Sequence, residues 1–253
     1  MNAAGLIGWA VAAALLSLRV APVFAFAPPF TLVRMPATFR MLLALGIAGC
    51  IAAANPAGAA LPELTAGALI VVAVKEILIG MVFLVAFQLT FAALQVAGRT
   101  VDLQAGFGLS LLIDPTTRGA TPLVGTLFVY AAAAIFFAEN GHGELLRLLA
   151  ASLQAAPLGA WQLPASPAPL IAFMASVFLT AFGVAGGAIL ALFVADLAIA
   201  MLSRTVPQMN VLVLGFQVKT IVLLLVLPIV FGTAGALLAR MTRLALEALP
   251  GLL

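Results

Sequence analysis

Four charged side chains interrupt otherwise apolar stretches: Lys75 and Glu76 side by side in one run, Asp196 in another and Lys219 in a third. An isolated charge in the middle of a bilayer costs at least a few kcal/mol, so such groups face protein or a wet cavity and find partners. Helical neighbours in sequence do not face each other, so Lys75 and Glu76 are each expected to pair across to a different helix. The alternative is an interfacial helix start from which both side chains snorkel. Asp196 follows 48 residues without a charge. Pairing with Lys219 or Lys75 is its favoured role, with a proton pathway or a polar substrate contact as rivals.

Other chemistry is poorly supplied. Ser110 has no histidine or lysine at a usable spacing, and no phosphate-binding glycine loop or dinucleotide fingerprint occurs. His142 is the one histidine and Cys50 the one cysteine. That rules out an intrachain disulfide, a thiolate metal cluster and a multi-histidine metal site. Cys50, in an apolar run, is expected to be buried packing. No enzyme, metal or cofactor is expected. The sequence pI near 9.8 reflects scarce acids, and no Lys/Arg-rich patch marks a nucleic-acid partner.

The elements that must hold these residues are membrane helices. Of 253 residues, 65% are hydrophobic and 8% charged, against roughly 45–50% and 25% in soluble domains. The chain therefore reads as all-α and polytopic, with about six hydrophobic helices near 6–26, 39–54, 64–98, 119–138, 170–202 and 211–238. The runs lack the period-two alternation of a membrane β-barrel. Arg19 follows the first apolar run where a cleaved leader would carry its charge before it, so this stretch is expected to be retained as helix. The third run spans about 50 Å as a helix, beyond a hydrocarbon core of about 30 Å, and is either one tilted or protruding helix or two broken ones. Residues 139–165 read as an excursion with a short amphipathic helix near 144–153 and a proline-rich linker. Pro228 is expected to kink the last helix. Six spans place Arg34, Arg40, Arg99, Arg118 and Arg204 on one side, mildly favouring that side as cytoplasmic.

The segment from Gly98 to Pro115 mixes glycines with large apolar residues, two carboxylates and Gln104. It is too glycine-rich for an ordinary helix interior and too apolar for a free loop. Such backbone is tolerated at membrane depth when buried among partners or lining a lumen. The pairs Gly183/Gly187 and Gly46/Cys50 have the spacing of close helix packing.

These pieces, in order, resemble the FliR family of flagellar biosynthetic membrane proteins, related to the SctT branch of type III secretion. The resemblance runs over almost the whole chain. Its marks are Arg19 with Pro22, the Pro36–Arg40 segment, Glu76 to Gly80, and Gly98 through Asp102, Gln104 and Gly106. Asp114-Pro115, Asn140-Gly141-His142, Ser152 and Ala156 to Gly159 follow. Arg204, Pro207-Gln208-Met209-Asn210, Gly215-Phe216 and Lys219 complete it.

The family implies one subunit of the flagellar export gate, present as a single copy with several FliP-like and FliQ-like subunits and associated with an FlhB-like protein. That gate passes unfolded flagellar proteins across the bacterial inner membrane at the basal body. It further implies a FliP-like helical part over 1–165 and a FliQ-like hairpin over 170–253, in an assembly largely raised above the membrane plane, where apolar surface meets partner subunits as well as lipid. The loop near 102–114 corresponds to the family's channel plug. Phe107, Leu109, Leu111, Leu112 and Ile113 can form an apolar constriction that resists ions by dewetting, with Gly106 and Gly108 as hinges. His142 then has a turn-capping or interfacial hydrogen-bonding role, and Pro207 to Asn210 connects the hairpin. The competing readings are a small-molecule or ion transporter using Lys75, Glu76, Asp196 and Lys219, an injectisome subunit, and a purely structural scaffold.

Overall fold

A computed structural model of the chain describes residues 3–60, 65–107, 122–162, 164, 166–206 and 210–252, with the side chains of 3, 4, 211 and 212 left aside. Among these residues every regular element is helical. In chain order they are α1 (Ala3–Phe26), a 3-10 turn (Phe30–Leu32), α2 (Ala37–Ala54), α3 (Ala66–Ala105), α4 (Leu123–Ala138), α5 (Gly141–Ala155), α6 (Ala168–Thr205) and α7 (Val211–Leu252). Five are long and apolar enough to cross a membrane, and α4 with α5, bent at the two-residue break between them, forms a sixth candidate.

The apolar run after residue 64 is one helix of 40 residues, about 60 Å long. It absorbs Gly98 to Ala105, so the first half of the glycine-containing segment is helical after all. The last helix continues to Leu252, well past the expected end near 238. Arg240, Arg243 and Glu247 end the hydropathic run there, but Leu238, Met241, Ala245, Leu249 and Leu252 keep a buried stripe at helical spacing.

The chain divides into two compact units, the first built from 1–89, 136–174 and 242–253, the second from 90–135 and 175–241. In the first, Val20, Val23, Phe24 and Ala27 of α1, Phe83 and Phe87 of α3, and Leu145, Leu149 and Leu153 of α5 are all buried. Phe136 stands edge-on to Phe30 and Phe87, with ring centroids 6.1 and 5.6 Å away. Gly80 lets α3 approach α1 closely: a Cβ there would lie 2.6 Å from the Arg19 carbonyl and 2.9 Å from that of Leu18. Pro22 has no N–H for the Leu18 carbonyl, so the close approach falls where α1 lacks a backbone bond. The last turn of α1 is capped from outside, by Arg40 on the Ala25 carbonyl (2.6 Å) and Gln88 on that of Phe26 (2.8 Å).

Cys50 is exposed, not buried as expected. Ala44, Ala48, Gly49, Ile51 and Ala52 form the inward stripe of α2, which leaves Cys50 on the outward side with Leu42 and Gly46. The small residue on a neighbour is Gly49, whose Cβ position is 3.4 Å from Trp9, whereas that of Gly46 meets nothing within 4 Å.

In the second unit, α6 buries Val177, Ala181, Val184, Ala188 and Leu192, and α7 buries Leu223, Leu227, Val230, Ala234 and Leu238. Gly183 faces Leu237 and Gly187 faces Val230, a descending register that makes the two helices antiparallel. Where α3 crosses α4, a Cβ on Gly98 would overlap the Gly125 Cα. Two glycines back to back bring these backbones into contact.

Candidate functional site

Two polar clusters stand within this apolar framework. In the first unit, Arg19 of α1 is fully buried, as is Glu76 of α3. The Arg19 Nε donates to Glu76 Oε2 at 2.6 Å, Nη1 to Ser152 Oγ at 3.0 Å and Nη2 to the Ala156 carbonyl at 2.9 Å. Glu76 Oε1 accepts the Gly159 N–H at 3.3 Å, and Lys75 Nζ donates to the Gly159 carbonyl at 2.8 Å. Ser152 completes its bonding by donating to Leu149. One guanidinium thus joins α1, α3 and the end of α5. Gly159 has a positive φ of 75° and packs on Val72, where a Cβ would come within 2.7 Å. Glu76 thus pairs across to α1, whereas Lys75 reaches no other helix among the described residues; the two side chains share Gly159, in the turn after α5, through its N–H and its carbonyl. Arg19 was missed as a site residue. Its signal was legible: a single arginine in an apolar helix must have a carboxylate, and Glu76 is the buried candidate.

The second cluster lies at the end of α3. Gly106 has φ +92°. Its N–H donates to the Leu103 carbonyl at 3.1 Å and the Phe107 N–H to that of Asp102 at 3.0 Å, the paired bonds of a glycine helix stop. Phe107 lies against Phe216 of α7, centroids 6.3 Å apart, and the Gly106 Cβ position is 3.1 Å from the same ring. Asp102, buried, accepts the Val124 N–H on both carboxylate oxygens at 3.1 Å, so it caps the start of α4 from a different helix. Lys219 Nζ pairs with Asp196 Oδ1 at 2.5 Å and donates to the Gln104 carbonyl at 3.2 Å. The Gln104 side-chain amide donates to the Ile189 carbonyl at 3.2 Å. Of the two partners expected for Asp196, Lys219 is the one that meets it.

The remaining positions separate. Gly106 and Phe107 are described; Gly108, Leu109, Leu111, Leu112, Ile113, Asp114, Pro115, Pro207 and Gln208 lie outside the described residues. Asn140 takes a left-handed conformation (φ 58°) between α4 and α5 and accepts the Gly143 and Glu144 N–H groups on its carbonyl. Gly141 is needed next to it because a Cβ would lie 2.5 Å from the Phe136 ring. His142 places its ring 5.8 Å from that of Phe137. Arg204 sits exposed in the last turn of α6, suited to the negative helix end. Asn210 caps α7, its side-chain oxygen accepting the Val213 N–H at 3.3 Å.

Long apolar helices, a fully buried ion pair and close glycine crossings define a polytopic α-helical membrane protein. The family model described as bacterial export proteins, family 1, matches residues 10–245. Flagellar biosynthetic protein FliR of Bacillus subtilis is 31% identical over 72% of this chain and 71% of its own length. The FliR protein of Escherichia coli K12 is 30% identical over 79% and 76%. Surface presentation of antigens protein SpaR of Salmonella typhimurium is 27% identical over 87% and 82%. The chain belongs to bacterial export proteins, family 1, the FliR family. It is a multi-pass inner-membrane protein of the flagellar basal body and a channel subunit of a multi-subunit export gate, a family of export components and not of enzymes.

Proposed function

We propose that the chain stands as a single copy among several FliP-like and FliQ-like subunits, with an FlhB-like protein, in a gate that passes unfolded flagellar proteins out of the cytoplasm. Residues 1–165 act as the FliP-like part and 170–253 as the FliQ-like hairpin. Gly106, Phe107, Gly108, Leu109, Leu111, Leu112 and Ile113 close the channel when no substrate is present. The observation that carries this reading is the end of α3, where a glycine stop and the Asp102–Val124 bond hold together the two ends of the glycine- and leucine-rich segment. A loop tied at its base can present an apolar tip without losing its anchorage.

The large outward side chains, among them Leu42, Leu179 and Leu225, suit partner subunits and lipid. The transporter reading needs its charges free to meet a solute. Glu76 is instead taken up by Arg19 in the first unit and Asp196 by Lys219 in the second.

The test is co-expression with FliP-like and FliQ-like partners and native mass spectrometry of the purified assembly. One copy of this chain in a larger hetero-oligomer is expected, and removal of 106–113 from it should make membranes leaky to ions. Recovery solely as a monomer or homo-oligomer, with folded partners present, rejects the assembly.

A further inference from the structure

We infer that Lys219, held in place by Asp196, is the positioning residue that fixes where the chain leaves α3 ahead of the 108–121 segment. The last carbonyls of a helix have no partner within it. At the end of α3 the glycine stop satisfies those of Asp102 and Leu103, and Lys219 Nζ supplies the bond to Gln104. A cation there also meets the negative end of the helix dipole.

The lysine is itself constrained. Asp196 binds the same ammonium, with the two side chains 42% and 21% exposed for Asp196 and Lys219. Asp196 and Ile189 are seven apart on α6, hence on one face, and Ile189 accepts the Gln104 side chain. Phe216 and Lys219 are three apart on α7, and Phe216 covers Gly106 and Phe107. Both α6 and α7 therefore hold the same final turn of α3, α6 through the Ile189 carbonyl on Gln104 and α7 through Phe216 and Lys219, with Asp196 of α6 steadying the lysine. The consequence for channel closure rests on the plug reading above; the positioning role does not.

Hydrogen exchange on the assembled complex separates the two. In Lys219→Met, the amides of Gly106 and Phe107 should exchange roughly tenfold faster, because their bonds depend on an α3 end that has lost its cap. Amides near 149–153 in the first unit should not change, which distinguishes loss of positioning from general destabilisation. Lys219→Arg keeps a cation and should exchange like the parent, and Asp196→Asn should fall between. Unchanged exchange at 106–107 in Lys219→Met overturns the inference. If that variant does not assemble, the same result in Asp196→Asn overturns it. Ion leak is read in parallel, with a deletion of 108–113 as reference. Faster exchange without leak in either protein leaves Lys219 as the positioning residue and rejects the plug; leak in the deletion with parental exchange in Lys219→Met does the reverse.

Discussion

Arg19 and Glu76 are both fully buried, and neither has water to fall back on. Their attraction offsets a desolvation cost of several kcal/mol per ion, so the pair adds little net stability while making each member intolerant of losing the other. The arginine also holds Ser152 and the Ala156 carbonyl, and the glutamate holds Gly159. The cluster thus selects one arrangement of α1, α3 and the end of α5. Glu76→Gln in the assembled protein should cost about 3–5 kcal/mol, or about 10 °C in thermal midpoint. The double variant Arg19→Met/Glu76→Leu should be more stable than either single change. A double variant worse than both would mean the pair itself supplies the stability.

At the scale of elements, some helix glycines meet a neighbour's side chain and others its backbone, and the backbone contacts are the least forgiving. Gly98 against Gly125 is the tightest such approach, and a methyl group on Gly98 has backbone, not a flexible side chain, in its way. Gly98→Ala should separate α3 from α4, pull Val124 off Asp102 and prevent a stable assembly from accumulating. Gly46 has open space at its Cβ position. Gly46→Ala should leave the fold intact and add up to about 1 kcal/mol through helix propensity alone. The yield of assembled protein checks the first and thermal unfolding the second. Equal behaviour would place the Gly98 contact outside what the fold requires.

For the whole molecule, the outward surface is the unusual feature. Leu179 is 78% exposed, Leu225 68% and Leu42 67%, a density of bare apolar groups that lipid or partner subunits must cover. Cys50 shares this outward surface of α2 with Leu42 and is a natural reporter. A charged maleimide reaches a thiol only from water. In intact membranes Cys50 should resist a charged, impermeant maleimide and should react fully once the protein is unfolded in detergent. Rapid labelling without unfolding would put that face of α2 in water.

Hydropathy and composition were enough to set the class of protein and the approximate positions of its helices, because a chain with 8% charged residues cannot cover itself in water. The ordered glycines, prolines and charges carried the family as well. Pattern alone could not say that α3 runs unbroken to Ala105, because Gly98 weakens a helix locally and is kept there for its contact with Gly125. Nor could it extend α7 beyond 238, since charges on the outer face masked the buried stripe beneath. Cys50 went astray for the same kind of reason: in a membrane protein an apolar run does not tell inward from outward. The partners of the charges are the clearest case. Arg19 finds Glu76 57 residues away and Lys219 finds Gln104 115 residues away. Such separations are decided by which helix faces pack, so only the tertiary structure could match them.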